Sequence, residues 1–179
     1  MNKSIKPIET SYNGYKFRSR LEARWAIFFD AIGLKYEYEM EGYNMDGLRY
    51  LPDFYIPSLD RWFEIKGTPL NSNEIKKCEE FCSRKDNKNI KFSILLGAPE
   101  AIKIDNFIGI MEYVWEWPSK TYPENYRILA PDELSKKEYY SRFVKGLWIV
   151  PNTTEEELIK ATIQAREARF EFGETPKTI

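Results

Sequence analysis

The sequence of 179 residues contains no histidine and two cysteines. The absence of imidazole excludes Ser-His-Asp and Cys-His catalytic triads, histidine-ligated zinc and nucleases that use a histidine general base. Cys78 and Cys82 are four positions apart in a helical pattern, and this spacing does not match a CxxC redox or zinc motif. We therefore expect two buried free thiols in a protein of a reducing compartment.

A large net charge of either sign is also missing, because 27 Lys and Arg residues nearly balance 28 Asp and Glu residues and leave a net charge of −1. The overall field therefore attracts the protein neither to nucleic acid nor to an anionic membrane, and any contact with nucleic acid requires a local basic patch. No uncharged run reaches the roughly 18 residues that a membrane span needs. The first residues contain no apolar segment typical of a signal peptide. We expect a cytoplasmic protein without a membrane partner.

Aromatic residues are abundant, with 11 Phe, 12 Tyr and 5 Trp, and the chain is long enough to bury a core without disulfides. We predict that residues 1–117 form this core, including an N-terminal hairpin. Residues 118–179 are predicted to form a helical or mixed extension that packs on the core. The hairpin is predicted because Asn13-Gly14 separates two short runs, a strong signal for a two-residue turn.

Hydrophobic periodicity and turn residues predict the order of the elements. A hairpin over 7–17 is followed by a helix over 19–33, strands over 35–43, 48–56 and 61–66, a helix over 72–85, and strands over 90–96 and 107–115. Helical patterns return near 132–145 and 154–170. This order predicts an α/β fold in which a central mixed sheet, with an antiparallel meander, is flanked by helices.

Acidic residues interrupt two of the apolar strands. Glu64 and Lys66 share one face of strand 61–66, because residues two apart in a strand point the same way. A turn near Ser58 would bring Asp53, in the preceding strand, to the same end of the sheet as Glu64. Two neighbouring carboxylates repel each other, and a divalent cation relieves that repulsion. Oxygen ligands without histidine or cysteine favour Mg²⁺ or Mn²⁺ over zinc.

In the predicted strand 48–56, the same alternation places Asp53 on one face of the sheet and Tyr50 on the opposite face. The alternative for Glu64 and Lys66 is a solvent-facing strand edge with a cross-strand ion pair. The alternative for Asp53 is a turn or strand-end residue after Pro52.

The start of the first predicted helix is rich in charge. Glu22 borders its apolar stripe and is a candidate third carboxylate, although a capping role with Ser19 is an alternative. Arg18, Arg20 and Arg24 lie at or within the start of this helix. They are candidates for binding DNA phosphates, with a solvated helix face as the alternative.

The segments Pro52-Asp53 and Glu64-Ile65-Lys66 resemble the PD-(D/E)XK nuclease motif, and Glu22 is similar to that superfamily's helical glutamate. The predicted order from residue 19 to residue 96 is similar to the restriction-endonuclease-like core. The resemblance covers about half of the chain. Within the superfamily the chain looks most like the phage and mobile-element branch, related to Holliday-junction resolvases and to transposon endonucleases of the TnsA type.

The resemblance implies a role for each matching residue. Asp53 and Glu64 would be metal ligands together with the backbone carbonyl of Ile65, Glu22 would be an auxiliary ligand, and Lys66 would be the catalytic lysine. The implied activity is a Mg²⁺- or Mn²⁺-dependent DNA endonuclease that hydrolyses phosphodiester bonds in the cytoplasm, which is the host cytoplasm for a phage protein. Because two strands must be cut, a homodimer is one candidate assembly, and a recombination or packaging protein is a candidate partner.

Three alternatives remain open from the sequence. The same fold could serve as a non-catalytic DNA-binding or assembly module, which the balanced charge favours. It could act as a nuclease on RNA. The motif could also occur by chance in an unrelated α/β protein.

Overall fold

The computed structural model describes residues 7–45, 48–83, 90–115, 126–128 and 143–170. Over these residues the chain forms twelve strands and three α-helices. The strands are β1 (Thr10–Tyr12), β2 (Tyr15–Phe17), β3 (Glu37–Tyr38), β4 (Tyr43–Met45), β5 (Leu48–Tyr50), β6 (Phe54–Ile56), β7 (Arg61–Lys66), β8 (Lys91–Leu96), β9 (Ala101–Ile104), β10 (Phe107–Trp115), β11 (Tyr126–Ile128) and β12 (Phe143–Trp148). The helices are α1 (Arg20–Ala31), α2 (Ser72–Ser83) and α3 (Glu155–Glu167).

The N-terminal hairpin and α1 form where the sequence predicts them. Asn13 and Gly14 both have positive φ angles, 46° and 83°, as a type I′ turn between β1 and β2 requires. The Ser19 side chain accepts a hydrogen bond from the Glu22 backbone N–H and caps α1. After α1, Gly33 adopts a φ of 71°, a conformation that glycine reaches without a steric penalty.

The strands build one large mixed sheet in the order β11-β12-β10-β8-β7-β6-β3, with β9 paired to β10. The β7–β8 pair is parallel, whereas β6 pairs antiparallel with both β3 and β7. The predicted α/β class, with a central mixed sheet flanked by helices, is confirmed.

The predicted strand over 48–56 is wrong as a single element. The chain forms β5 and then β6, and residues 51–53 between them belong to neither strand. Pro52 explains the break, because proline has no N–H to donate to a strand ladder. Strand β5 pairs with β4 in a separate hairpin, in which Tyr50 lies opposite Tyr43. The predicted strand over 35–43 is likewise divided, into β3 and the first residue of β4.

Apolar side chains cover both faces of the large sheet. On one face, Phe63 and Ile65 of β7 pack in the same cluster as Trp25 of α1 and Ala161 of α3. On the other face, Trp62 packs in a cluster with side chains of α2. The alternation predicted for β7 is therefore confirmed, and the sheet is sandwiched between α1 and α3 on one side and α2 on the other. Cys78 and Cys82 are buried free thiols of α2, as predicted.

The C-terminal part of the chain contributes to the same sheet. Residues 143–145 begin β12, so the predicted helix near 132–145 is wrong there, and its earlier residues lie outside the described part of the chain. The ring of Trp148 lies 5.3 Å from that of Phe63, which joins β12 to the core on the α1 face. The proposed boundary at 117 and 118 also falls among residues that are not described, and it stays a prediction.

Helix α3 confirms the helical pattern near 154–170. Thr154 and Glu157 form a reciprocal capping box at its start, which satisfies two backbone N–H groups. None of the described helices is both long and apolar enough to cross a membrane.

Candidate active site

Glu64 and Lys66 lie on β7, between β8 and β6 in the interior of the sheet. Glu64 is 4% exposed, and its Oε1 atom is 2.7 Å from the Lys66 Nζ atom. A solvent-facing ion pair at a sheet edge is therefore excluded. Ionised groups are costly to bury unless they are used or paired, and here the half-buried Lys66 amine pairs with the buried Glu64 carboxylate.

Asp53 reaches the same end of the sheet, as the sequence predicts. A short 3₁₀ turn over Pro57–Leu59 connects β6 to β7, and the ladder between them ends with Phe54 opposite Phe63. Asp53 comes directly before that pair and is 9% exposed. Its Oδ2 atom accepts a hydrogen bond of 2.7 Å from the Ile65 backbone N–H. This bond fixes the carboxylate beside the strand that contains Glu64.

The charges of the three residues depend on each other. Burial raises the pKa of Asp53 well above its usual value, and the negative charges of Glu64 and Glu22 raise it further, against the opposing effect of Lys66. For Lys66, burial alone would lower the pKa, but Glu64 and Asp53 outweigh burial and raise it. The site thus has a firmly protonated amine and a carboxyl group that ionises reluctantly. A divalent cation fits this arrangement, because it would stabilise the ionised carboxylates that one ammonium group does not fully offset.

The Glu22 carboxylate is occupied by hydrogen bonds at the start of α1. It accepts from the Ser19 hydroxyl at 2.6 Å, from the Tyr38 hydroxyl at 2.5 Å and from the Arg18 backbone N–H at 3.1 Å. The capping role is therefore confirmed. Within the described residues, no group of three or more acidic or cysteine side chains is arranged to hold a metal ion. The role of Glu22 as an auxiliary ligand stays a prediction, as does that of the Ile65 carbonyl.

Tyr50 belongs to the site, although alternation places it on the face opposite Asp53. Its hydroxyl donates a hydrogen bond of 2.6 Å to Glu64 Oε2 and lies 3.5 Å from the Cys78 sulfur. Burial raises the pKa of both the Tyr50 hydroxyl and the Cys78 thiol, so both keep their protons at neutral pH. Alternation fails because the strand is interrupted after Tyr50. Pro52 is the signal in the sequence that indicates this interruption.

Tyr50→Phe is expected to lower the free energy of unfolding by about 1–3 kcal/mol, because it removes one donor from the buried Glu64 carboxylate. The matched control is Tyr55→Phe, which removes a hydroxyl whose partner, Asp60, is exposed. We expect the control to change stability by less than about 0.5 kcal/mol. Urea unfolding of both variants checks this, and equal stabilities would show that the Tyr50–Glu64 bond contributes nothing.

The three charged residues line an open cleft of about 580 Å³. Positively charged side chains from four separate segments line it alongside the carboxylates. They are Arg18, Arg49, Lys66 and Lys77. The Arg18 Nε atom is 2.6 Å from a carboxylate oxygen of Glu39, which holds its guanidinium at the rim. The cleft therefore combines a buried acidic centre with a margin on which Arg18, Arg49 and Lys77 outnumber Glu74.

The three arginines predicted to bind DNA do not lie in one place. Arg18 lines the cleft, whereas Arg20 and Arg24 line a second pocket together with residues from the end of α3. Helix geometry explains this separation. Residues two apart on a helix project about 200° apart, so Arg20 and Arg24 point away from Glu22.

Comparisons of the chain with protein-family models, with curated proteins and with solved structures find no match. The function of the site must therefore follow from its own geometry.

Proposed function

We propose that this chain is a metal-dependent DNA endonuclease with a restriction-endonuclease-like core of the PD-(D/E)XK type. One observation supports this most strongly: the buried carboxylates of Asp53 and Glu64 line one open cleft together with the half-buried amine of Lys66. A chance motif would not be expected to bring three ionisable groups from two segments into one accessible, desolvated position. The phage or mobile-element origin and the partner proteins stay predictions of the resemblance.

Each residue has a chemical role in this proposal. Asp53 and Glu64 would hold Mg²⁺ or Mn²⁺, with the Ile65 amide and the Tyr50 hydroxyl fixing the orientation of the two carboxylates. When bound, the cation would lower the pKa of water and neutralise charge on the phosphodiester. Glu22 supports the site by holding the start of α1 and the Tyr38 hydroxyl in place.

Lys66 has two candidate roles, positioning the attacking water or stabilising charge on the phosphate, and its raised pKa supports the second. An amine that keeps its proton in the presence of Glu64 and Asp53 is a poor general base. Lys66 instead provides a fixed positive charge close to the scissile phosphate. Such a charge stabilises the additional negative charge of the transition state.

The margin of the cleft suits a polyanionic substrate. Arg18, Arg49 and Lys77 line the cleft together with the site residues, and there they would bind phosphates of the substrate. A protein of balanced overall charge needs this kind of local basic patch to bind nucleic acid.

The first experiment measures cleavage of supercoiled plasmid, linear duplex and a four-way junction with Mg²⁺, Mn²⁺ or EDTA. We expect cutting that requires the metal and that falls by about 10²-fold or more in Lys66→Ala, whose loss of a transition-state charge corresponds to about 3 kcal/mol. Lys66→Ala also controls for contaminating nucleases, which the substitution would not affect.

The other outcomes identify the alternatives. Cutting of an RNA substrate in preference to DNA would show that the site recognises a 2′-hydroxyl. DNA binding that is insensitive to EDTA, without cutting of any substrate by a folded protein, would contradict the enzymatic proposal and support a non-catalytic module. Equal cutting by Lys66→Ala and the wild type would assign the activity to a contaminant.

A further inference from the structure

The second pocket lies between the start of α1 and the end of α3 and has a volume of about 630 Å³. Arginines from both helical segments line it, with one acidic residue among them. These residues are Arg20, Arg24, Arg166, Arg169 and Glu167. We call this the arginine pocket. We propose that it binds a backbone phosphate of the DNA at a distance from the bond that is cut, an inference that rests on the proposed function.

The charge of the arginine pocket favours an anion. Four guanidinium groups around one space repel each other, and Glu167 offsets one of them. Glu100 offsets a second, because its Oε1 atom lies 3.4 Å from Arg166 Nη1. The residues that line the pocket thus include four arginines and a single glutamate, in a protein whose net charge is −1.

The hydrogen-bonding state of Arg24 also indicates a ligand. Its Nε atom is buried, and nothing in the described part of the chain accepts a hydrogen bond from it. A buried donor without an acceptor is costly, and a phosphate oxygen would satisfy it. Arginine is well suited to this because its planar group can donate two parallel hydrogen bonds to one phosphate.

The position of the pocket favours DNA over a small free anion. Arg18 lines the cleft and Arg20 lines the arginine pocket, and their Cα atoms are at most about 7 Å apart along the chain. Successive phosphates of one strand are separated by about 3.4 Å along the duplex axis. The cleft and the pocket therefore adjoin the same short segment at the start of α1, and a duplex seated in the cleft is long enough to extend past this segment.

The test measures binding of a fluorescent DNA duplex in EDTA, where no cleavage occurs, by the double variant Arg24→Gln/Arg169→Gln. We expect about a tenfold weaker Kd near 0.1 M salt and a salt slope smaller by about 1, as for the loss of one phosphate contact. The matched control is Lys35→Gln/Lys160→Gln, which removes the same charge from exposed positions outside both pockets. Glu167→Gln is expected to tighten binding several-fold.

Thermal unfolding separates binding from folding. Removing two of four clustered arginines relieves repulsion, so we expect the melting temperature of the double variant to stay the same or rise. Equal DNA affinities for the double variant and its control would overturn the proposal. It would also be overturned if inorganic phosphate stabilised the wild type but not the double variant while DNA affinity stayed equal, because that result assigns the pocket to a free anion.

The outcome of this DNA-binding test does not depend on whether the protein cuts DNA. Loss of DNA affinity in the double variant supports the pocket even where the wild type cuts nothing, which would contradict the proposed nuclease alone. Cutting by the wild type with unchanged DNA binding in the double variant would contradict the pocket alone.

Discussion

Asp53→Asn is expected to lower the rate of DNA cleavage by about 10³-fold or more while the protein stays folded. Loss of one carboxylate ligand removes several kcal/mol of charge stabilisation at the phosphodiester, and about 4 kcal/mol corresponds to 10³-fold. The fold tolerates the change because an asparagine oxygen can still accept the hydrogen bond from the Ile65 N–H. The measurement is the initial rate on the substrate that the wild type cuts, at saturating Mg²⁺ or Mn²⁺.

Asp60→Asn is the matched control, since it makes the same chemical change at the nearby turn between β6 and β7. Asp60 is exposed and has a φ of 48°, a conformation that asparagine also adopts readily. We expect its cleavage rate to equal that of the wild type. A cleavage rate for Asp53→Asn within tenfold of the control would remove Asp53 from the catalytic residues.

Glu22→Gln provides the contrast within the site. Its carboxylate is already engaged by Ser19, Tyr38 and the Arg18 amide, so the substitution should disturb the start of α1 more than the reaction. We expect a cleavage rate within about tenfold of the wild type and a loss of about 1 kcal/mol of stability. A loss of rate as large as that of Asp53→Asn would instead make Glu22 a metal ligand.

The features predictable from the sequence are those that local patterns determine. The period of two in 61–66 places Glu64 and Lys66 together, and the Asn13-Gly14 turn and the Ser19 cap fix the N-terminal hairpin and α1. Asp53 follows because the turn between β6 and β7 is short. Each of these depends on residues close to one another in the chain.

The features that could not be predicted depend on distant segments or on a broken pattern. Tyr50 reaches Glu64 because β5 leaves the large sheet and pairs with β4, so one strand pattern does not describe residues 48–56. The arginine pocket joins the first turns of α1 to the end of α3, which no spacing in the sequence reveals. Strand β12 takes its place through pairing with β10, and that pairing overrides a local helical pattern.

The metal-free protein is expected to become less stable as the pH rises, through Asp53. A carboxyl group whose pKa is raised in the folded state binds its proton more tightly there than in the unfolded chain. Its contribution to stability is present below the unfolded pKa, near 3.8, and is lost as the pH rises through the raised pKa of the folded state. Glu64 and Glu22 reinforce this effect, and Lys66 opposes it.

Asp53→Asn removes that pH dependence, so in EDTA at pH 8 the variant should be more stable than the wild type. The gain should be about 1–3 kcal/mol, or roughly 3–10 °C in melting temperature for a chain of this length, and it should shrink towards pH 4. Fluorescence reports the transition, because Trp25 and Trp148 are fully buried. An equal melting temperature for both proteins across this pH range would show that burial of Asp53 has no energetic cost.

Addition of Mg²⁺ or Mn²⁺ should remove or reverse the difference in stability between the two proteins at pH 8. A ligand at 100 times its Kd stabilises the native state by about 2.7 kcal/mol. We therefore expect the wild type to melt roughly 5–10 °C higher with the metal than in EDTA. Asp53→Asn should gain little, since it lacks one of the two carboxylates. The gain of the wild type should also weaken as the pH falls, because the cation must compete with the proton on Asp53. Equal gains in melting temperature for both proteins would place the cation outside this site. The expected result would show that metal binding offsets the instability that burial of the carboxylates creates.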